Sequence, residues 1–239
     1  MSVLSRASVR YLAHHPAQLL LSVLGIALGV AVVVGIDLAS QSAQRAFELS
    51  SRELAGAATH VLRGGPAGVD ERRYAELRRT PGAPPMAPVV ERTVVLVDEA
   101  GVERRTLELL GVDPLAEGPF RALPPLASGG GAIDLLGEPD GVLMSADTAR
   151  ELALEPGDAL RLRVDSRLVE ARLLDVLLPA GDLERRSLES LLIADLSTAQ
   201  ALTGSVGRLA RVDLRLPAGP QERARAEAWL GERLPEDLR

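Results

Sequence analysis

The hydrophobic residues of this chain form one long run, followed by many shorter alternating segments. Within residues 19–36 the only polar side chain is Ser22, and no Arg, Asp or Glu lies between Arg10 and Asp37. A helix rises about 1.5 Å per residue, so roughly 20 apolar residues cross the hydrocarbon core of a bilayer. The pattern therefore predicts a transmembrane helix over residues 16–38.

The residues before this run predict its orientation. Residues 1–15 contain Arg6 and Arg10 and no acidic side chain. Basic residues beside a spanning helix tend to stay in the cytoplasm, so we expect a cytoplasmic tail over residues 1–15 and an extracytoplasmic location from residue 40 onward. A cleavable signal peptide is the alternative, but its apolar region would be only about 7–15 residues long. A retained anchor in the bacterial inner membrane is the favoured interpretation.

Small residues follow one face of the predicted membrane helix. Ser22, Gly25 and Gly29 are spaced three and four residues apart. Small residues at this spacing let a second helix approach closely, which predicts a helix-packing site in the membrane. Beyond the span, the helical pattern continues without Pro or Gly as far as Gly56, and this predicts a helical stalk over residues 39–57.

The rest of the chain mixes strand and helix patterns. Apolar alternation and β-branched runs predict strands, at 59–63, 89–97, 141–144, 160–164, 169–173, 190–195 and 209–216. One further strand is expected to follow the turn at 98–101 and to end at 109–112. Helical spacing, with Asp70 and Ser145 as N-caps, predicts helices at 70–79, 146–152, 197–203 and 221–234. Residues 113–139 are expected to form a long loop. The fold class is thus α+β, with a mixed core domain over 58–216 and a final segment, 217–239, whose helix returns toward the membrane.

Composition excludes several functions. There is no Cys, every basic side chain is Arg, and the net charge is −6. A phosphate-binding loop of the Walker type needs a Lys, so we expect no ATP binding by this chain, and an acidic body is a poor ligand for nucleic acid. His60 is the only His far from the predicted span, and a half-exposed strand position suits it better than a catalytic role. The sequence therefore predicts no catalytic residues, no metal site and no cofactor.

Several separated motifs resemble those of FtsX-like ABC-transporter permeases. The opening residues 15–31 are similar to the first spanning helix of that family. Four later segments resemble its MacB-like periplasmic core domain, in the same order along the chain: Leu110–Pro114 (Leu-Gly-Val-Asp-Pro), Val142–Asp158, Asp195–Gln200 and Arg211–Asp213.

The resemblance implies an extracytoplasmic α+β domain, often described as two subdomains, between the first two spanning helices of a permease. It also implies partners: a cytoplasmic ATP-binding subunit, a second permease copy or half, and membrane lipid. Such permeases handle lipids, lipoproteins, peptides or drugs. Since this chain ends at Arg239, it is expected to be a fragment of a longer permease. The alternative is a single-pass, membrane-anchored binding or sensor module.

Overall fold

The computed structural model describes residues 24–31 and 58–234. These two stretches belong to separate compact units, 1–51 and 52–239. Residues 24–31 are helical and exposed. No helix within the two described stretches is long and apolar enough to cross a membrane. The predicted membrane helix reaches the described residues only at 24–31, and the predicted stalk lies outside them.

The second stretch, residues 58–234, is called the body below. Its strands are β1 (His60–Leu62), β2 (Val69–Asp70), β3 (Met86–Val97), β4 (Glu103–Val112), β5 (Gly141–Ser145), β6 (Ala159–Val164), β7 (Arg167–Leu177), β8 (Leu191–Asp195), β9 (Arg208–Leu209) and β10 (Arg211–Leu214). Its helices are α1 (Glu71–Arg79), α2 (Pro114–Glu117), α3 (Ala146–Glu151), α4 (Asp182–Leu188), α5 (Leu196–Thr203) and α6 (Pro220–Arg233), with a 3₁₀ helix at Ala132–Gly137.

Six strands of the main sheet form a closed ring of pairings. The order is β3-β4-β8-β5-β7-β6, and β6 pairs back onto β3. The β4–β8 and β5–β7 neighbours are parallel, and the other pairs of the ring are antiparallel. Strands β10 and β1 extend the sheet from the first half of β3, while β2 and β9 form a separate two-stranded ribbon.

Burial explains why apolar and polar residues alternate along some strands and not along others. Every residue of β5 and of β8 is buried, because apolar clusters cover both faces of these strands. Their sequences therefore read as continuous apolar runs, which is usual for strands covered on both faces. In β6 and β7, buried and partly exposed positions alternate along most of each strand.

The predicted caps are present. The Asp70 carboxylate accepts a hydrogen bond from the Arg72 N–H at 2.9 Å, and the Ser145 hydroxyl accepts one from the Thr148 N–H at 3.1 Å. Each cap satisfies a main-chain donor that the first helical turn leaves unpaired. The final helix also forms as expected, with Leu230 buried against the main core.

Three local expectations were wrong. Strand β3 begins at Met86, three residues before the expected start at Val89. It pairs with β4 only from Val89 onward, so the missing N–H of Pro88 costs no ladder hydrogen bond on that edge. The expected long loop contains α2 and the 3₁₀ helix, which are too short to give a periodic pattern. The expected strand at 209–216 is divided between β9 and β10.

Candidate functional site

The two ends of the body lie side by side. Strand β1, which follows the first described residues of the body, pairs antiparallel with β10, which precedes α6. The Thr59 N–H donates to the Leu214 carbonyl at 2.8 Å, and the Leu216 N–H donates to the Thr59 hydroxyl at 2.8 Å. We call this region, Ala58–Leu62 together with Arg211–Leu216, the end junction.

A short segment, Asp113–Arg121, covers the end junction. Ala116 and Phe120 are buried in a small apolar cluster with Ala87, and Ala58 packs against this cluster. The Arg215 guanidinium donates to the Pro119 carbonyl at 2.8 Å. The segment therefore contacts the chain on both sides of the junction.

Local chemistry fixes how this segment begins. The Asp113 carboxylate accepts a hydrogen bond from the Leu115 N–H at 3.0 Å and so caps α2, whose first residue is Pro114. Proline suits this position because its missing N–H would have no helical partner there. The second Asp113 oxygen lies 3.2 Å from an Arg78 nitrogen, which ties the segment to α1.

Charged side chains link the segment to the sheet beneath it. Arg121 contacts Glu117 and Asp213, each at 2.6 Å, and Arg211 contacts Asp213 at 2.9 Å and also pairs with Glu91. Asp213 is fully buried and Glu117 is 3% exposed. Loss of one member of such a buried network leaves an uncompensated charge, which typically costs about 3–5 kcal/mol.

The buried Glu117 carboxyl has a shifted pKa in this network. One of its oxygens, Oε2, is buried without a hydrogen-bond partner among the described residues. Burial raises the pKa of Glu117 to about 7; Arg121 opposes this rise, while Asp213 and Asp113 add to it. The network therefore changes its charge near neutral pH.

The network joins the segment Asp113–Arg121 to β3 and β10 through its ion pairs. The described residues contain no group of three or more His, Asp or Glu side chains arranged to hold a metal ion. His60 is exposed in β1, and its ring contacts only the adjacent Thr59 hydroxyl among the hydrogen bonds of the described residues.

The residues predicted to pack in the membrane lie elsewhere. Gly25 and Gly29 are in the exposed helical residues 24–31, and a Cβ atom on either would meet no described atom within 4 Å. Ser22 lies outside the described residues. The helix-packing role of all three stays a prediction.

Sequence reasoning missed the charged network. Asp213 alternates with apolar residues in β10, so it could be mistaken for a residue on a solvent-exposed face. Glu117 and Arg121 are four residues apart, which is the spacing of a helical ion pair. That spacing is common on surfaces, and only the register of β10 beside β3 brings the pair to Asp213.

Comparison with known proteins gives a match over most of the chain. A family model described as the MacB-like periplasmic core domain matches residues 19–228. The chain is 41% identical over 230 residues to an uncharacterized ABC transporter permease protein of Mycobacterium tuberculosis. That alignment covers 90% of this chain and 26% of the relative, so the chain spans about a quarter of the length of the curated relative that it matches.

Two solved structures share the fold. The periplasmic region of MacB from Actinobacillus actinomycetemcomitans superposes with a TM-score of 0.50 at 13% identity, over 75% of this chain and 86% of that one. The extracellular domain of the noncanonic ABC-type transporter YknZ from Gram-positive bacteria gives a TM-score of 0.52 at 11% identity, over 75% and 97%. At these identities the likeness concerns the fold alone.

Proposed function

Because this chain belongs to the family of MacB-like periplasmic core domains, we propose that it forms the anchored extracytoplasmic part of an ABC transporter permease subunit. Residues 16–38 provide the membrane anchor, and residues 1–15 lie in the cytoplasm. A separate cytoplasmic ATP-binding subunit supplies the energy, and a second permease copy or half completes the membrane part. The body couples that energy to the handling or export of a lipid, lipoprotein, peptide or drug.

The observation that carries the proposal is the pairing of the two ends of the body. A domain inserted between two membrane helices must receive the chain and return it, and here the receiving strand β1 lies directly against β10. A change in spacing between the segments attached to these strands would act on the hydrogen bonds of Thr59. The region Asp113–Arg121, which contacts both sides, would transmit that change into the body.

Helix α6 is suited to act as a lever on the body. The Trp229 indole N–H donates to the Pro81 carbonyl at 3.0 Å, beyond the end of α1, and the Arg73 guanidinium donates to the Arg233 carbonyl at 2.9 Å. Because these contacts couple α6 to α1, a force applied at the C-terminal end of α6 would reach α1 as well as β10.

A distance measurement tests this function. One spin label would be placed in the predicted stalk, at Arg45, and one on the exposed face of α6, at Glu227, in the full-length permease with its ATPase. This chain has no Cys, so the two introduced cysteines are the only labelling sites within it. We expect the distance between the labels to change by several ångströms when ATP is trapped.

A second pair of spin labels, both placed within the body, tests whether the body as a whole loosens. Labels at Ala100 and Ser166 lie in the turns that connect β3 to β4 and β6 to β7, within the ring of strands. Their separation should stay constant. A stalk-to-α6 distance that is the same with and without trapped ATP would reject the mechanical role, and it would favour a binding or sensor module that docks a partner without moving.

A further inference from the structure

Strand β3 changes its neighbour along one edge and leaves a gap between the two partners. Residues Met86–Val89 pair with β10, and Val95–Val97 pair with β6 on the same edge. The opposite edge is paired with β4 from Val89 to Val97, with a shift of register between Leu96 and Val97. No described strand pairs with Val90–Val94 on the first edge.

The main chain in this gap offers free hydrogen-bonding groups. The Arg215 N–H donates to the Pro85 carbonyl, and the Ala210 N–H donates to the Val89 carbonyl, so odd-numbered residues of β3 present their main-chain groups to this edge. By the same alternation, the N–H and C=O groups of Glu91 and Thr93 point into the gap. Both residues are exposed, and the structure gives these groups no partner on this edge among the described residues.

A cleft of about 230 Å³ opens beside this gap. It is lined by three parts of the chain: Val90–Arg92, the loop Gly65–Gly68, and Thr203, Ser205 and Arg208–Ala210. The distance between the two paired parts of β3, from Val89 to Val95, is about 20 Å at roughly 3.3 Å per residue. An extended segment of about five residues fits this length, which matches the five residues Val90–Val94 that are unpaired on this edge.

The cleft carries excess positive charge in an acidic protein. Arg92 and Arg208 both line it and are exposed, and neither has an ion pair or a side-chain hydrogen bond to another described residue. Glu91, the one acidic side chain in the lining, is paired with Arg211. Arg92 also interrupts a row of buried positions, since Val90 and Val94 on the same face are buried.

We propose that this cleft docks an extended acidic peptide segment of a partner protein. The segment adds as a short strand to Glu91 and Thr93 of β3 and places one carboxylate between Arg92 and Arg208. Main-chain bonds of this kind supply affinity, and the side-chain site supplies specificity. Arginine suits this role because its guanidinium binds a carboxylate through two parallel hydrogen bonds. The inference does not depend on transport.

A pair of labelled peptides tests the proposal on the full chain in lipid nanodiscs. The probes are fluorescein-labelled Thr-Val-Glu-Val-Thr and the same peptide with Gln in place of Glu. We expect the Glu peptide to bind at least tenfold more tightly in fluorescence polarisation. The double variant R92Q/R208Q should reduce its binding to the level of the Gln peptide, while R186Q/R225Q, which removes two exposed arginines outside the cleft, should leave it unchanged.

Hydrogen exchange tests the strand addition separately. Bound Glu peptide should slow exchange of the Glu91 and Thr93 amides by about tenfold or more, and inorganic phosphate should not. Equal binding of the two peptides, no binding of the Glu peptide up to 1 mM, or unchanged exchange at both amides would overturn the proposal. Protection by phosphate, or by vesicles containing an anionic phospholipid, equal to that by the peptide would also overturn it, because the cleft would then be a general anion site.

Discussion

At the scale of single residues, Glu117 links the stability of the body to pH. Its pKa in the folded chain is about 7, against an ordinary value of 4.5. Below about pH 4.5 the group is protonated in both the folded and the unfolded chain. As the pH rises from there toward 7, the unfolded chain loses the proton first, so the folded state becomes less stable. In total the free energy of unfolding falls by about 3 kcal/mol, at 1.36 kcal/mol for each pKa unit.

Glu117→Gln should therefore change the pH dependence of unfolding. Gln cannot ionise, so the variant should gain stability relative to the wild type as the pH rises from 5 to 8. Urea unfolding of the full chain at several pH values measures this difference. Glu170→Gln, a change at an exposed position of β7, should follow the wild-type profile. Parallel wild-type and Glu117→Gln curves across this range would contradict the assignment.

Residue roles that depend on near neighbours in the sequence could be predicted, and those that depend on distant ones could not. Asp70 and Ser145 were predicted as caps because a cap needs only the next two or three residues. The pairing of Asp213 with Arg121 joins residues that are 92 positions apart. Nothing in the local pattern distinguishes that aspartate from one on an exposed strand face.

At the scale of elements, Gly111 determines how closely α5 packs on β4. A Cβ atom at this position would overlap the Cβ of Ala199 in α5 and lie 3.2 Å from the Cβ of Val90. This contact gives a physical reason for the glycine in the Leu110–Pro114 motif. The motif also supplies Asp113 as the cap of α2, so one short stretch positions two helices.

Gly111→Ala should destabilise the body by about 1–3 kcal/mol, because the added methyl group forces β4 and α5 apart. Thermal or urea unfolding measures the loss. Adding Ala199→Gly should recover part of it, since that change removes the opposing methyl group. Gly118→Ala is the matched control: a Cβ there meets nothing within 4 Å, and the backbone is already helical. Equal stability of Gly111→Ala and wild type would show that the helix can shift without cost.

Element prediction succeeded where the pattern was long enough to be read. Helix α1 and the β6–β7 hairpin follow clear helical or alternating periods. Helix α2 has only four residues, which is about one turn, so no period could appear. Helix α4 was not predicted at all, although its first turn is acidic and its last turn basic.

At the scale of the whole molecule, the ring of strands could not be derived from the sequence pattern. Alternation identifies which face of a strand is buried, but it does not identify the neighbouring strand. Strand β8 enters the ring between β4 and β5, which precede it by many residues. The same non-local pairing brings β1 beside β10 and creates the end junction. The mixed α+β class could be predicted, and the adjacency of the ends required the structure.

The adjacency of β1 and β10 leads to a prediction about movement at the end junction. Thr59 and Arg215 lie one step beyond the last paired residues, His60 and Leu214. Opposed residues in an antiparallel pair have Cβ atoms about 4.5–5.5 Å apart, so a disulfide between Cys residues at these two positions needs only a small adjustment. If the ends must separate during the cycle, this disulfide should abolish ATP-driven activity of the full-length permease.

Reduction provides the internal control for this experiment. A reductant should restore the activity of the Thr59→Cys/Arg215→Cys variant to that of the single variants Thr59→Cys and Arg215→Cys, because the two cysteines then move independently. A second disulfide, from Arg161→Cys and Glu170→Cys, bridges the β6–β7 hairpin at directly opposed residues. This control variant should keep its ATP-driven activity in both the oxidised and the reduced state, because that hairpin lies within the ring of strands. Full activity of the oxidised Thr59→Cys/Arg215→Cys variant would mean that the end junction stays closed throughout the cycle, and the body would then work by binding alone.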